Sequence, residues 1–318
     1  MISISADRIQ EILTMPDCIQ AMENLYRNEG NNINEQPLRI VMRTDPETTF
    51  LTMPGYSKVL QRFATKIVTE FKNNPVKYHL PAQGGLIVLI DGKDSRVLAT
   101  LDAPMITAVR TGAVSGLATK LLAREDSEAV GIIGSGQQAR TQLSAVCAVR
   151  RKIRRARVYS RNHEHAVDFS KAMGEELGIA IEPEPDPASA LKRSDIAILA
   201  TSTTTPVVSW KEVPSGCHIN SIGGTMPSRQ ELDLDTICNS RIFVDLRQGV
   251  LSEAGDVMHA IGSGKITANH IIGDLSDLIL KRSVGRENDE QVTLFKSVGF
   301  ALQDLYASSF AFEKISVA

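Results

Sequence analysis

Val130-Gly131-Ile132-Ile133-Gly134-Ser135-Gly136-Gln137-Gln138-Ala139 reads as a buried strand, a glycine turn and the start of a helix. Gly134 permits a tight turn, and Gly136 lets backbone amides approach a pyrophosphate at the positive end of the following helix. Ala139 takes the third small position, where helix meets strand. A glycine triplet alone is a weak signal for a dinucleotide, so its surroundings carry the weight.

Downstream, strand-like runs at Arg157-Val158-Tyr159, Ile196 to Ala200, His218 to Ile222 and Ile242 to Asp245 alternate with helix-like segments. That alternation argues a Rossmann, doubly wound parallel sheet. Pro183, Pro185 and Pro187 form a loop inside it. Upstream, Ser5 or Asp7 can cap a first helix, and Pro16 with Asp17 opens a second that Gly30 stops. From Leu38 to Leu101 short β-rich runs follow, with turns expected at Asp91-Gly92 and at Met53-Pro54-Gly55. Ala103 to Ala123 is a small-residue helix, and the last helix is read from Ser297 through Tyr306.

The chain has 318 residues, 42% of them hydrophobic, which suits two domains of α/β class. Its 35 Lys plus Arg against 37 Asp plus Glu give a net charge of -2, so nothing global attracts nucleic acid or anionic membrane. Cys18, Cys147, Cys217 and Cys238 are dispersed, with no pair or histidine at zinc spacing, which fits reduced thiols and no metal site. The first residues lack a signal peptide's basic start and apolar core, and no run is long enough to span a bilayer. A cytoplasmic protein is expected.

At the end of the second strand of such a sheet an acid selects a free ribose 2′-hydroxyl. Here the strand ends Tyr159-Ser160-Arg161-Asn162. A hydroxyl, a guanidinium and an amide suit a 2′-phosphate, so NADP(H) is favoured over NAD(H). The alternative leaves Arg161 in solvent and gives the ribose to Glu164.

With these stretches in view, the whole chain resembles the ornithine cyclodeaminase and mu-crystallin family. The resemblance rests on Ala64-Thr65-Lys66-Ile67-Val68, Ala108-Val109-Arg110-Thr111-Gly112-Ala113, the glycine turn, Asn220-Ser221-Ile222-Gly223-Gly224 and Gln291 to Gly299. It implies a homodimer. A substrate-binding and dimerisation domain (1–118 plus 296–318) would join a dinucleotide-binding domain (119–295), with the nicotinamide in the cleft between them. It also implies hydride transfer at the nitrogen-bearing carbon of a small amino or imino acid.

By the resemblance, Lys66 is the active-site lysine and Arg110 the carboxylate-binding arginine, also beside the cofactor. Arg39 is a further substrate arginine, a role that the nearby Arg43 can also fill. These types suit the chemistry: guanidinium clamps a carboxylate, and an ammonium polarises a group or passes a proton. Gln137 and Gln138 follow the glycines as in the family. Thr201 falls at a dinucleotide contact, or else only closes its strand end; Ser297 and Val298 fall at the nicotinamide and substrate contact.

One departure matters. Where cyclodeaminases carry an aspartate that exchanges protons with the substrate's amino group, this chain reads Gly223-Gly224-Thr225-Met226-Pro227. A threonine is no general base near neutral pH, but reducing a pre-formed imine needs none. Thr225, as a substrate contact, therefore favours a 2-imino acid or ketimine reductase over an ornithine cyclodeaminase or alanine-type dehydrogenase. Arg229 replaces a cyclodeaminase lysine and is compatible with phosphate binding. Glu231 and Asp233 are read as surface residues, and Asp256 and Asp274 as turn or cap residues. A mu-crystallin-type store for NADPH and a ligand is the competing class, which Lys66 and Arg110 together disfavour. His163 and His165 are read as solvated, and the basic run Arg150 to Arg157 as a solvated edge rather than a nucleic-acid surface.

Overall fold

Alternation along Arg62–Phe71 shows how the first sheet is built: Ala64 and Lys66 are buried, whereas Phe63, on the opposite face, is exposed. The structure is a computed structural model that describes residues 1–30, 34–45 and 47–316. It divides into two units, Met1–Arg110 with Phe300–Ala318, and Thr111–Gly299. The first junction falls in the helix Ala103–Leu122, as does the sequence-based limit at 118/119. The second follows a strand, Thr293–Lys296, that the limit at 295/296 divides.

In the first unit, β1 (Ile2–Ile4), β2 (Asn34–Glu35), β3 (Ile40–Asp45), β4 (Thr48–Ser57), β5 (Arg62–Phe71), β6 (Gln83–Asp91) and β7 (Val97–Asp102) form one sheet. Its order is β1-β7-β6-β5-β4-β2, with β3 also on β4. All pairs are antiparallel except β1 with β7. Its inner face carries Met53, Lys66 and Ile87 in one register and Gly55, Ala64 and Leu89 in the next. The terminal helix Ala301–Ser316 covers that face, and a Cβ on Gly55 would lie 3.3 Å from Ala301 Cβ, so glycine permits the close approach.

Two expectations fail here. Met53-Pro54-Gly55 is no turn but the middle of β4, paired with Lys66, Thr65 and Ala64. Pro54 is tolerated because β2 pairs only at Tyr56 and Ser57 and β3 only up to Thr52, so no neighbour on that side needs its missing N–H. The last helix begins at Ala301, not Ser297, because Thr293–Lys296 is a strand and Gly299 takes a φ of +75° that breaks the chain before the helix. The N-terminal helices match their signals: Ser5 caps Ala6–Ile12, and Met15–Glu29 carries proline in its first turn, is capped by Thr14 and ends at Gly30.

The second unit holds β8 (Ala129–Ile133), β9 (Arg155–Tyr159), β10 (Ala180–Pro183), β11 (Ile196–Leu199), β12 (His218–Ser221), β13 (Arg241–Val244), β14 (Ile271–Asp274) and β15 (Thr293–Lys296). All are parallel, in the order β10-β9-β8-β11-β12-β15-β13-β14. The central strands β8, β11, β12 and β15 are buried on both faces, and two apolar clusters flank the sheet. Val130, Leu143, Phe169 and Ile198 belong to one, and Ile133, Leu199, Ile219 and Leu294 to the other. This is the doubly wound sheet expected from the glycine turn.

Arg150 departs from the reading of its run as a solvated edge. It is 8% exposed and donates to the carbonyls of Thr119, Lys120, Ala123 and Arg124, which closes the end of the helix Ala103–Leu122. His163 and His165 are exposed at the start of the helix His163–Leu177, as read.

Candidate active site

In the second unit, the glycine turn joins β8 to the helix Gln137–Val149. Gly134 has a φ of +108°, a conformation that favours glycine, and a Cβ there would run into the Ala200 carbonyl. Its amide donates to Tyr159 O, so the turn is tied to the end of β9. Gly136 is the helix N-cap; no side chain caps this terminus, no acid sits in its first turn, and nothing lies within 4 Å of a Cβ built there. Gln137 is exposed, while Gln138 Oε1 is buried with no partner among the described residues. Open space over a glycine, uncommitted helix amides and an orphaned acceptor fit the diphosphate end of a dinucleotide.

At the end of β9, Ser135 Oγ donates to Ser160 Oγ at 3.0 Å. Arg161 is exposed, and Asn162 is committed to capping the next helix through the Glu164 amide. Across the sheet, Thr201 follows β11, and its amide and hydroxyl both donate to Glu231 Oε1 at 2.7 and 2.9 Å. The hydroxyl thus closes the strand end. Thr225 is half-buried beyond the glycine pair, and the half-buried Arg229 has no side-chain hydrogen bond or ion pair among the described residues.

Glu231 is not a surface residue: it is fully buried and gathers donors from two strand ends, a role local sequence gives no sign of. Asp256 is no cap either. Its carboxylate is buried, accepting from the Glu231 and Leu232 amides and pairing with Lys296. Asp233 and Asp274 do cap helices. Asp245, which sequence reasoning missed, is 1% exposed after β13. Its Oδ2 accepts from Ser297 Oγ at 2.7 Å, Val298 N at 3.0 Å and Gly299 N at 2.6 Å. Ser297 and Val298 are therefore held in one fixed loop, with the Ser297 proton spent on Asp245.

In the first unit, Lys66 and Arg110 are each 4% exposed and converge on one carboxylate, Asp304, on the terminal helix. Lys66 Nζ lies 2.8 Å from Oδ2 and donates to Thr107 Oγ1 at 3.3 Å. Arg110 Nε lies 3.0 Å from Oδ1, and its Nη1 donates to Gln303 Oε1; Gln303 in turn donates to Tyr26 OH at 2.9 Å. Burial pushes the Lys66 ammonium down to about 8, against the pull of Asp304 and with help from Arg110 and Arg39. Burial raises the Asp304 carboxyl, but Lys66 and Arg110 together hold it below its ordinary range. Arg39 precedes β3, half-buried and near enough for its charge to act on Lys66, whereas Arg43 is exposed within β3. Two buried cations around one carboxylate leave a net positive charge that can take a substrate carboxylate, and a lysine with so low a pKa can hand over a proton near neutrality.

A Rossmann unit with an open glycine turn and a separate unit with a buried cation cluster define a nicotinamide-dependent oxidoreductase of two α/β units. The chain belongs to the ornithine cyclodeaminase/mu-crystallin family, whose model matches residues 2–318. It is 33% identical over 316 residues to Delta(1)-pyrroline-2-carboxylate reductase of Bacillus cereus, covering 99% of this chain and 96% of that one. It is also similar to the structure of Thermococcus litoralis Delta(1)-pyrroline-2-carboxylate reductase in complex with NADH and L-proline. There the identity is 38% and the TM-score 0.96, over 100% of this chain and 98% of that one. An archaeal alanine dehydrogenase, solved as a dimer with bound NAD, has 28% identity and a TM-score of 0.93 over 100% of this chain and 96% of that one.

Proposed function

We propose that this enzyme reduces the C=N bond of a 2-imino acid or cyclic ketimine to the L-amino acid, using a nicotinamide cofactor. The Lys66–Asp304–Arg110 cluster carries this reading, supported by the reductases the chain is similar to. When bound, the reduced nicotinamide supplies hydride to the imine carbon. Arg110, aided by Arg39, holds the substrate carboxylate, and Lys66 gives the proton that the nitrogen needs. Electrons and protons then balance: one hydride to carbon, one proton to nitrogen. Thr225 touches the substrate and asks nothing of a base, and Val298 lines the substrate beside it.

The cofactor lies on Gly134, Gly136, Gln137 and Gln138 at its diphosphate, with Thr201, Ser297, Arg229 and Arg110 as further contacts. NADP(H) is favoured over NAD(H). Ser160 takes its hydrogen bond from Ser135, so its own proton is available to a phosphate oxygen, and Arg161 beside it is uncommitted. The domain limits 1–118 plus 296–318 and 119–295 are read as the substrate and cofactor portions.

A cytoplasmic homodimer completes the reading. The outer face of the first sheet carries Tyr56, Phe63, Ile67, Leu86, Val88 and Ile90 in facing registers, with Phe63 46% and Leu86 41% exposed. Such an apolar face suits a second copy. Among the described residues no helix is long and apolar enough to cross a membrane, and the net charge offers nucleic acid no general attraction.

The test is NADPH and NADH oxidation with five- and six-membered cyclic ketimine carboxylates, and with 2-oxo acids plus ammonia. Turnover of the ketimines is expected. Tight NADPH binding with no turnover of any of them would instead favour a ligand store.

A further inference from the structure

The second unit buries a lysine and two carboxylates that the proposed reaction does not use. Lys296, the last residue of β15, has a side chain with no exposure, and its Nζ donates to Asp256 Oδ2 at 2.8 Å, Ser221 Oγ at 2.9 Å and Gly223 O at 3.0 Å. Ser221 Oγ passes its own proton to Glu231 Oε2 at 2.9 Å, and the Gly223 amide donates to the same oxygen at 2.9 Å. The other Glu231 oxygen holds Thr201. Asp256 Oδ1 accepts from the Glu231 amide at 2.7 Å and the Leu232 amide at 3.0 Å.

Every group in this chain of bonds sits at the carboxyl ends of β11, β12 and β15 or in the segments that pack on them. In open parallel sheets that edge is where ligands bind. The network also accounts for the glycine pair. A Cβ on Gly223 would strike the Glu231 carboxylate, and one on Gly224, whose φ is +53°, would lie 2.6 Å from Asp256 Oδ2 and 2.9 Å from Lys296 Nζ. The backbone leading to Thr225 therefore runs directly over the buried ions. Burying an ion costs several kcal/mol before pairing returns it, and apolar residues of similar volume often stabilise as well, so bulk stability does not call for this arrangement.

We propose that Lys296, Asp256 and Glu231 are positioning residues that hold Thr201 and the loop Gly223 to Thr225 in the geometry that receives the nicotinamide cofactor. This rests on the cofactor part of the proposed function, and not on its substrate part. Removing one ion strands another. Removing Lys296 and Asp256 together leaves one buried carboxylate, Glu231, without its cation, where Lys296→Met leaves two, and it releases the loop.

The experiment compares the full-length Lys296→Met, Lys296→Met/Asp256→Asn and Glu231→Gln proteins with wild type, by thermal melting and by fluorescence titration with NADPH, or with NADH if wild type prefers it. Lys296→Met is expected to melt lowest. The double variant is expected to regain part of the melting temperature yet bind cofactor about tenfold more weakly, and the cofactor KM is expected to rise by a similar factor while kcat at saturation changes less. Glu231→Gln keeps the volume but sets an amide against one pair of donors, and the same loss of affinity is expected at a melting temperature modestly lowered and still above that of Lys296→Met. It decides the matter if the double variant does not fold. Wild-type cofactor affinity in Glu231→Gln, or in a folded double variant, would overturn the proposal. A wild type that binds cofactor but reduces no imino acid refutes the substrate reading alone, because the titration needs no imine.

Discussion

Lys66 Nζ lies 2.8 Å from Asp304 Oδ2, and this pair fixes the protonation chemistry of the first unit. Without Asp304 the ammonium would have burial and Arg110 against it and little to keep it charged. Arg110, on the other carboxylate oxygen, shares the same anchor. Both cations are thus held in place by one buried carboxylate, and in the proposed reaction they are oriented before any substrate arrives, which is how preorganised charge accelerates a reaction.

The pH dependence follows from that pair. In the proposed reaction Lys66 is the proton donor, so kcat/KM for imine reduction should be full where the free enzyme's lysine is protonated and fall as pH rises through about 8. Asp304→Asn removes the group that raises the Lys66 pKa, so the descending limb should move to lower pH. Steady-state rates between neutral and alkaline pH measure the shift; an unmoved limb would separate Lys66 from the proton. Breaking this buried pair should also cost about 3–5 kcal/mol of stability, readable by denaturant unfolding.

Arg110→Ala removes the proposed carboxylate clamp and leaves Asp304 with one cation. Losing one partner of a buried charge pair typically costs about 2–5 kcal/mol, so kcat/KM should drop by roughly two orders of magnitude or more. Arg39→Ala should cost less, because Arg39 is only half-buried.

Gly136 gives a clean test of the cofactor position. Nothing lies within 4 Å of a Cβ at Gly136, and its backbone angles suit any residue, so Gly136→Val should fold, with only the modest loss of stability expected of a poorer helix N-cap. It would fill the space assigned to the diphosphate. Cofactor affinity measured by fluorescence should fall by more than about tenfold, worth roughly 1.4 kcal/mol; unchanged affinity would put the diphosphate elsewhere.

Arg161→Ala should weaken NADPH but leave NADH nearly untouched. A hydrogen bond to a charged group is worth about 1.5–3 kcal/mol, so the ratio of kcat/KM for the two cofactors should shift by about tenfold or more toward NADH. An equal effect on both would place Arg161 away from the 2′-position.

His218 makes acid stability testable. It is fully buried, with Nδ1 2.9 Å from Thr293 Oγ1; burial first, then Arg286, pushes its pKa from 6.5 down to about 3. The folded state therefore binds fewer protons than the unfolded state between these values. Stability present above about pH 6.5 is lost as pH falls toward 3, with a slope near 1.4 kcal/mol per pH unit from this group. In His218→Gln that contribution to the slope, followed by urea unfolding across the window, should vanish.

The glycine turn, the parallel sheet and the burial of Lys66 were legible because their signals are local: a run of apolar residues, a turn, a lysine on an apolar strand; Arg110 stood out only through the family resemblance. Asp304 was not, since it stands 194 residues after Arg110 and looks like any acid on an amphipathic helix. Glu231 looked like a surface acid and Asp256 like a turn or cap residue for the same reason: their partners lie on other strands, and only the fold brings Lys296 to them. Met53-Pro54-Gly55 misled because turn residues in a strand segment paired on one side only look the same as turn residues in a loop. Its neighbours on β5 are what keep it extended.

The central claim, hydride transfer to an imine carbon beside a carboxylate held by Arg110, is tested most directly with NADPH, or NADH if wild type prefers it, carrying deuterium at both C4 positions of the nicotinamide. Wild type incubated with a cyclic ketimine carboxylate should yield the L-amino acid carrying deuterium at the carbon next to the carboxylate, and Arg110→Ala should yield far less. Cofactor that stays unoxidised with every imino acid offered, or product lacking deuterium at that carbon, would contradict the account.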